Sequence, residues 1–317
     1  MTDPEIDGEQ HSALVELLQY LKQENYQFVT PTPLTHQRVN ARAGRRLARN
    51  LRDAFGWSLP FERALLPPAL LASLQRADAV EEDDAVLRSR LRVSSLGADL
   101  YVHSAYPTLA SDAVFFGPDT YRFCRFIEAE LPSLGVPFGA RIADIGCGSG
   151  AGGIVAARAT RAAEVLLGDI NPRALQWARI NAAQAGVAAE ALYSDVLAQM
   201  PGDFDLLLSN PPYLNDEERR AYRHGGGALG FDLSLRIAAE ALPRLRRNAA
   251  LLLYSGVAIT DGVDPLLAAL RPLLDAAACE WRYCELDPDV FGEELEREVY
   301  RNVDRIAAVG LVAVRRR

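Results

Sequence analysis

The stretch "RIADIGCGSGAGGIVAARAT" (141–160) decides the fold. It opens on a short apolar run, Ile142 to Ile145, that reads as a strand and carries one acid, Asp144. Three glycines follow at alternate positions: Gly146, Gly148 and Gly150. The remainder, rich in small residues, reads as a helix. Glycine lets the backbone turn tightly and lets a ligand approach with no Cβ in the way. Dehydrogenases and other nucleotide binders use such turns too, so the turn alone does not name its ligand. The spacing is G-x-G-x-G rather than the G-x-G-x-x-G of a dinucleotide site. No G-x-x-x-x-G-K-[ST] occurs, so there is no phosphate-cradling lysine of that kind.

Working outward, strands and helices alternate. "EVLLGDI" (164–170) is a strand, and "PRALQWARINAAQAG" (172–186) is a helix that begins on proline. "ALYSD" (191–195) and "FDLLLSN" (204–210) are strands, "LSLRIAAEALPRL" (233–245) is a helix, and "AALLLYSGV" (249–257) is a strand. "PLLAALRPLLDAAA" (265–278) is a helix and "RIAAVGLVAVRR" (305–316) a closing strand. The alternation predicts an α/β fold: a Rossmann-like, doubly wound, mainly parallel sheet with helices on both faces. Ligands of such sheets bind beyond the carboxyl ends of the strands.

Acids stand at those ends in order. Asp169, followed by Ile170 and Asn171, can accept hydrogen bonds from both hydroxyls of a ribose. Ser194-Asp195 ends the next strand, and an acid there can take the amino group of an adenine. Asp144 either holds the glycine loop or lies near a cationic ligand. One such acid alone is commonly a helix cap or a solvated loop carboxylate. Three at successive strand ends form a set. The fourth strand ends in Asn210-Pro211-Pro212-Tyr213.

The series "DIGCGSG", "GDINPRALQWARINAA", "YSD" and "LLLSNPPY" resembles the motifs of class I S-adenosylmethionine-dependent methyltransferases over residues 115–317. The resemblance implies S-adenosyl-L-methionine as cofactor and no metal. Its binding residues would be Asp144, Gly146, Gly148, Gly150, Asp169, Ile170, Ser194, Asp195 and Asn210. The tetrad narrows the resemblance to amino-methyltransferases, with Asn210, Pro211 and Tyr213 as catalytic residues. Asn210 offers a side-chain oxygen for one N–H of an amide or aryl-amine nitrogen, and the Pro211 carbonyl takes the other. The two bonds hold the nitrogen and stabilise the charge that develops on it. The prolines keep the turn rigid, and Tyr213 offers a ring face to a flat acceptor.

Beyond the tetrad the chain most resembles the HemK/PrmC-like family, which methylates a glutamine amide in peptide-chain release factors. "FFGPDTYRF" (115–123) and "RHGGGALGFDLSLRI" (223–237) carry that likeness, with a helical N-terminal region and a hairpin before them. Asp119 or Thr120 can cap the helix that the first stretch opens. Gly117-Pro118-Asp119-Thr120 and "LNDEERRAYRHGGG" (214–227) depart from the family pattern, and "HSAYPTLASDAVFFGPDTY" (103–121) has no counterpart in it. A protein glutamine, in a release factor, is therefore the expected acceptor. An RNA base and a small-molecule amine are the alternatives. His224 reads as a loop residue.

The resemblance divides the chain into a helical N-terminal domain (1–86), a hairpin linker (87–114) and the catalytic domain (115–317). "AVEEDDAV" (79–86) is a charged break at the first boundary. "HQRVNARAGRRLARNLRDAF" (36–55) reads as one helix, with Arg38, Arg42, Arg45, Arg49 and Arg52 in a stripe about 80° wide. That stripe is either a solvated face or a docking surface for RNA or an acidic partner. "EWRYCELDPDVFGEELEREVYRNVD" (280–304) reads as a long polar insertion. The four cysteines form no CxxC pair, so neither a zinc site nor a disulfide framework is expected. A net charge of −8 removes any global attraction to nucleic acid. "MTDPEIDGEQ" lacks the character of a signal peptide, no apolar run reaches membrane-span length, and the expected location is cytoplasmic.

Overall fold

The computed structural model describes residues 8–216, 220 and 222–316. Most of the polar N-terminus, and residues 217–219 and 221 of the stretch after the tetrad, lie outside them.

Helix α1 (Gly8–Gln23) buries Leu14, Leu17, Leu18 and Leu21, a stripe at helical spacing. The segment 36–55 is not the single helix that its periodicity suggests. Helix α2 (Pro33–Asn40) stops, the chain turns at Gly44 with φ 81°, and α3 (Leu51–Phe55) starts afresh. Two polar side chains cause the break. The Asn50 side chain accepts from the Asp53 N–H at 2.9 Å, and the buried Asp53 carboxylate draws in Arg45 and Arg49. Arg38 thus sits on α2, Arg52 on α3 and the other three in turns between, so the arginines share no helical face. After α4 (Pro68–Arg76), the charged break is itself a hairpin, β1 (Val80–Asp83) with β2 (Val86–Ser89). The expected boundary at 86/87 falls inside β2. The hairpin β3 (Leu91–Leu96) and β4 (Asp99–Ser104) turns at Gly97, as its sequence predicts.

The rest runs α5 (Pro118–Leu134), β5 (Arg141–Ile145), α6 (Ala151–Thr160), β6 (Glu164–Asp169), α7 (Pro172–Ala185), β7 (Glu190–Tyr193) and β8 (Phe204–Ser209). Then come α8 (Asp232–Ala241), β9 (Leu245–Ile259), α9 (Pro265–Ala276), β10 (Cys279–Asp287) and β11 (Arg305–Arg315). These form one seven-stranded sheet in the order β10-β11-β9-β8-β5-β6-β7. Neighbours from β9 to β7 are parallel, and β11 alone runs the other way, antiparallel to both β9 and β10. This is the Rossmann-like α/β sheet expected. Strand β8 is buried on both faces: Leu207 packs with α8 and α9, while Leu206 and Leu208 pack with α5. The strand order reverses between β5 and β8, which opens a crevice at their carboxyl ends.

The first part of the supposed insertion is β10, a half-exposed edge strand whose outer face explains its polarity. Two short turns of 3-10 helix follow, Gly292–Glu296 and Glu298–Tyr300. The N-terminal leucines pack onto Ala174, Trp177 and Ile180 of α7, so the helical region shares a core with the sheet's own layer. No helix among the described residues is long and apolar enough to cross a membrane.

Candidate active site

The crevice holds a cavity of about 300 Å³ at the ends of β5, β6, β7 and β8. Its floor is the glycine loop. Gly146 and Cys147 both donate backbone N–H groups to the Gly168 carbonyl at 2.9 Å, which curls the loop over β6. Gly146 and Gly148 take φ of 69° and 53°, and a Cβ on either would meet no protein atom within 4 Å. They line the cavity, so the space that such a carbon would take belongs to it. Gly150 does something else. It caps α6 at φ 80°, and a Cβ there would sit 3.2 Å from the Ala178 Cβ. It is needed for packing α6 on α7 and does not line the cavity.

Asp169, the last residue of β6, lines the cavity. One carboxylate oxygen accepts from the Gly148 N–H and the other from the Asn171 N–H, both at 2.9 Å. Burial pushes its pKa up, against those backbone donors. Asp144 is buried beneath the loop and accepts from the Gly153 N–H at 2.7 Å, in the first turn of α6. Burial pushes its pKa up to about 7, opposed by the Gly153 bond and helped by the nearby Asp169 charge. Asp144 thus ties β5 to the first turn of α6, and it also lines the cavity. Ile170, Ser194 and Asp195 also line the cavity. The Ser194 hydroxyl donates to the Val196 carbonyl at 2.9 Å, so it turns into the chain. Both Asp195 oxygens meet Arg236 of α8 at 2.9 Å, a partner the sequence reading did not include.

Asn210 and Pro211 lie between this cavity and a smaller one of about 60 Å³, and line both. The side-chain amide of Asn210 has no hydrogen-bond partner among the described residues. Ser209 anchors the strand end, donating to the Ile145 carbonyl at 2.7 Å. Tyr213 differs from expectation. Its ring is 7% exposed, lies against Gly256 and meets Phe291 edge-on, so only a sliver borders the small cavity. It is a wall, not an open stacking platform. Phe115 and Tyr222 instead line both cavities with near-parallel rings, 6.2 Å between centroids. Tyr222 is tethered to the 103–121 stretch through the Thr108 carbonyl at 2.8 Å.

Asp119 and Thr120 split the roles read for them. Thr120 accepts from the Gly117 N–H at 3.2 Å and helps close α5, while Asp119 does not cap. Its buried carboxylate takes the hydroxyls of Tyr213 and Tyr254. His224 ties its own loop, its Nδ1 accepting from the Asp216 N–H at 3.2 Å. The stretch after β10 buttresses the same region: Tyr300 accepts from the Asn215 N–H at 2.8 Å, and Glu294 pairs with Arg223 and Arg297.

Residues 126–251 match the methyltransferase small domain family. The chain is 34% identical over 187 residues to a release factor glutamine methyltransferase of Deinococcus radiodurans, covering 56% of this chain and 63% of that protein. A second protein of that description, from Cereibacter sphaeroides, is 35% identical over 45% of this chain and 55% of its own length. A ribosomal RNA small subunit methyltransferase C of Chromohalobacter salexigens is 32% identical over 54% of this chain and 48% of its own. The chain thus spans roughly half to under two thirds of the lengths of these curated relatives. Over residues 126–251 the chain is thus similar to the methyltransferase small domain family, and over about half its length to release factor glutamine methyltransferases.

Proposed function

We propose that the protein is an S-adenosylmethionine-dependent N-methyltransferase whose acceptor is a planar amide nitrogen, a glutamine side chain of a release-factor type protein. One observation carries the reading: Asn210, its amide unpartnered among the described residues, stands with Pro211 at the wall shared by a cofactor-sized cavity and a small aromatic one. The cavity fits the cofactor on the structure's own terms. Gly146 and Gly148 leave a cradle that a Cβ would fill, and Asp169 presents a carboxylate already oriented by two backbone donors. Bound there, S-adenosylmethionine supplies a methyl group activated by its sulfonium. The chain's task is then to place and polarise the acceptor. Asn210 and the Pro211 carbonyl would each accept one N–H of the acceptor, countering the delocalisation that makes an amide a poor nucleophile. The tight, largely apolar rim of the small cavity, with Phe115, Tyr222 and Phe291, suits a slender planar group. The curated relatives named as release factor glutamine methyltransferases favour a protein acceptor.

The test uses tritium-methyl S-adenosylmethionine and a lysate from cells lacking the protein, split into protein, RNA and small-molecule fractions, with Asn210→Ala as control. Label recovered as methylglutamine in a protein band supports the reading. Label only in RNA, or only in small molecules, replaces the acceptor. No transfer to any fraction removes the enzyme.

A further inference from the structure

Asp119 is buried in the acceptor-side wall, and the chemistry above makes no use of it. A carboxylate taken out of water is costly unless it is paired and hydrogen-bonded. Here both oxygens are matched. One accepts from the Tyr213 hydroxyl at 2.6 Å, the other from the Tyr254 hydroxyl at 2.8 Å, with the Arg122 guanidinium 3.2 Å from the latter oxygen. Such hydroxyl-to-carboxylate bonds are short and charge-assisted. Arg122 is held in turn by Asp287 of β10 at 2.8 Å.

The consequence falls on Tyr213. Its hydroxyl is pinned by Asp119, and its ring is fixed from the side by Gly256, where a Cβ would lie 2.2 Å from ring carbons. Phe291 closes the remaining side, with ring centroids 5.9 Å apart. Two prolines with fixed φ join Tyr213 to Asn210, so displacing the ring drags the turn. The same first turns of α5 carry Thr120 and Phe123 onto the cofactor cavity. One short piece of helix therefore touches both cavities.

We propose that Asp119 is a positioning residue: through the Tyr213 hydroxyl it sets where the Asn210–Pro211 turn stands relative to the cofactor cavity. The inference rests on the reading of Asn210 and Pro211 as holders of the acceptor nitrogen. Asp119 is not the proton acceptor of the reaction, because both its oxygens already take tyrosine hydroxyls.

Asp119→Asn keeps the shape and removes the charge, and Tyr213→Phe removes the hydroxyl. Each is expected to lower kcat about 100-fold, the scale of a small misplacement at a reacting centre. Cofactor Kd stays unchanged, and the double variant is no worse than either single one, as residues acting through one bond require. Tyr254→Phe, which leaves the Tyr213 bond in place, lowers the melting temperature but changes kcat far less. A second readout needs no acceptor: with ring-labelled tyrosine, the Tyr213 Cζ resonance moves in Asp119→Asn. A near wild-type kcat in Asp119→Asn, or losses that multiply in the double variant, overturns the proposal. If the wild-type protein labels no fraction at all, the functional reading fails separately, and the Cζ resonance then decides. A moved resonance upholds the coupling of Asp119 to the turn, and an unmoved one overturns it.

Discussion

At the cofactor end of the crevice the glycine loop and the strand ends of β5, β6 and β7 lie within residues 144–196, and side chains from 113–123, 210–212 and 233–237 complete the lining. At the acceptor end the walls come from segments near 115–123, 210–223, 254–256 and 287–300, and are made largely of side chains. A ligand gripped by backbone amides and a few strand-end acids can be gripped the same way in many sequences. A pocket assembled from distant side chains is open to change at each of them.

The largest effect should separate the two ends outright. Asn210→Ala removes an acceptor contact and leaves the glycine cradle alone. Methyl transfer is expected to fall about 10²- to 10³-fold, the scale of one lost charge-stabilising contact, with cofactor Kd by isothermal titration moving far less, because Asn210 is one of many residues lining that cavity. A matching loss of cofactor affinity would dissolve the distinction.

The next effect concerns protons at the cofactor end. Burial raises the pKa of Asp144 to about 7, so the folded protein holds a proton that the unfolded chain releases near pH 4. The stabilisation is complete below about pH 4 and is lost as pH rises through about 7. It amounts to roughly 2–4 kcal/mol between the two ends of that range, since each tenfold change in proton affinity is worth about 1.4 kcal/mol. Asp144→Asn cannot titrate, so urea midpoints measured from pH 4 to 8 should fall less steeply in the variant. Equal slopes would show that Asp144 is already ionised beneath the loop.

Asp169→Ala comes third. It removes the carboxylate that orders Gly148 and Asn171, and cofactor Kd should weaken about 10- to 100-fold, since hydrogen bonds to a charged group are worth about 1.5–3 kcal/mol. The acceptor KM should stay put. An unchanged cofactor Kd would remove the ribose assignment.

This split also explains what could be read from the sequence. The sheet, its strand ends and the cradle are local: strand, glycines and helix lie within twenty consecutive residues, and period and turn chemistry suffice. Gly150 carries the same letter as Gly146 and Gly148, but only its approach to Ala178 shows that it serves helix packing. Tyr213 was legible as an aromatic after two prolines. That it is a wall depends on Gly256 and Asp119, 43 and 94 positions away in the chain, and no spacing encodes that. Gly256, inside a strand of large apolar residues, was the one local hint of a close approach. The break in the arginine helix had a signal too, in Gly44, Asn50 and Asp53, but the strict spacing of the arginines masked it. The polar character of 280–287 was read as an insertion because an edge strand shows water one face and exposes polar residues there.

The smallest effect lies at the mouth, where Arg236 spans to Asp195. Both are about half exposed, and such pairs are worth roughly 0.2–1 kcal/mol. Arg236→Ala should therefore shift cofactor Kd less than about 5-fold, and the shift should shrink further in high salt. The pair also decides what Asp195 is for. If Asp195 serves only as the partner of Arg236, Asp195→Ala and Arg236→Ala change affinity alike, and the double variant adds nothing. If its carboxylate also takes the adenine amino group, Asp195→Ala costs more than Arg236→Ala, and the excess persists at 1 M salt, where a solvent-exposed ion pair is screened within about 3 Å. An excess that survives salt would extend the strand-end set of the cofactor end to β7. Its absence would leave Asp195 as a surface latch, and would confine that end to β5 and β6.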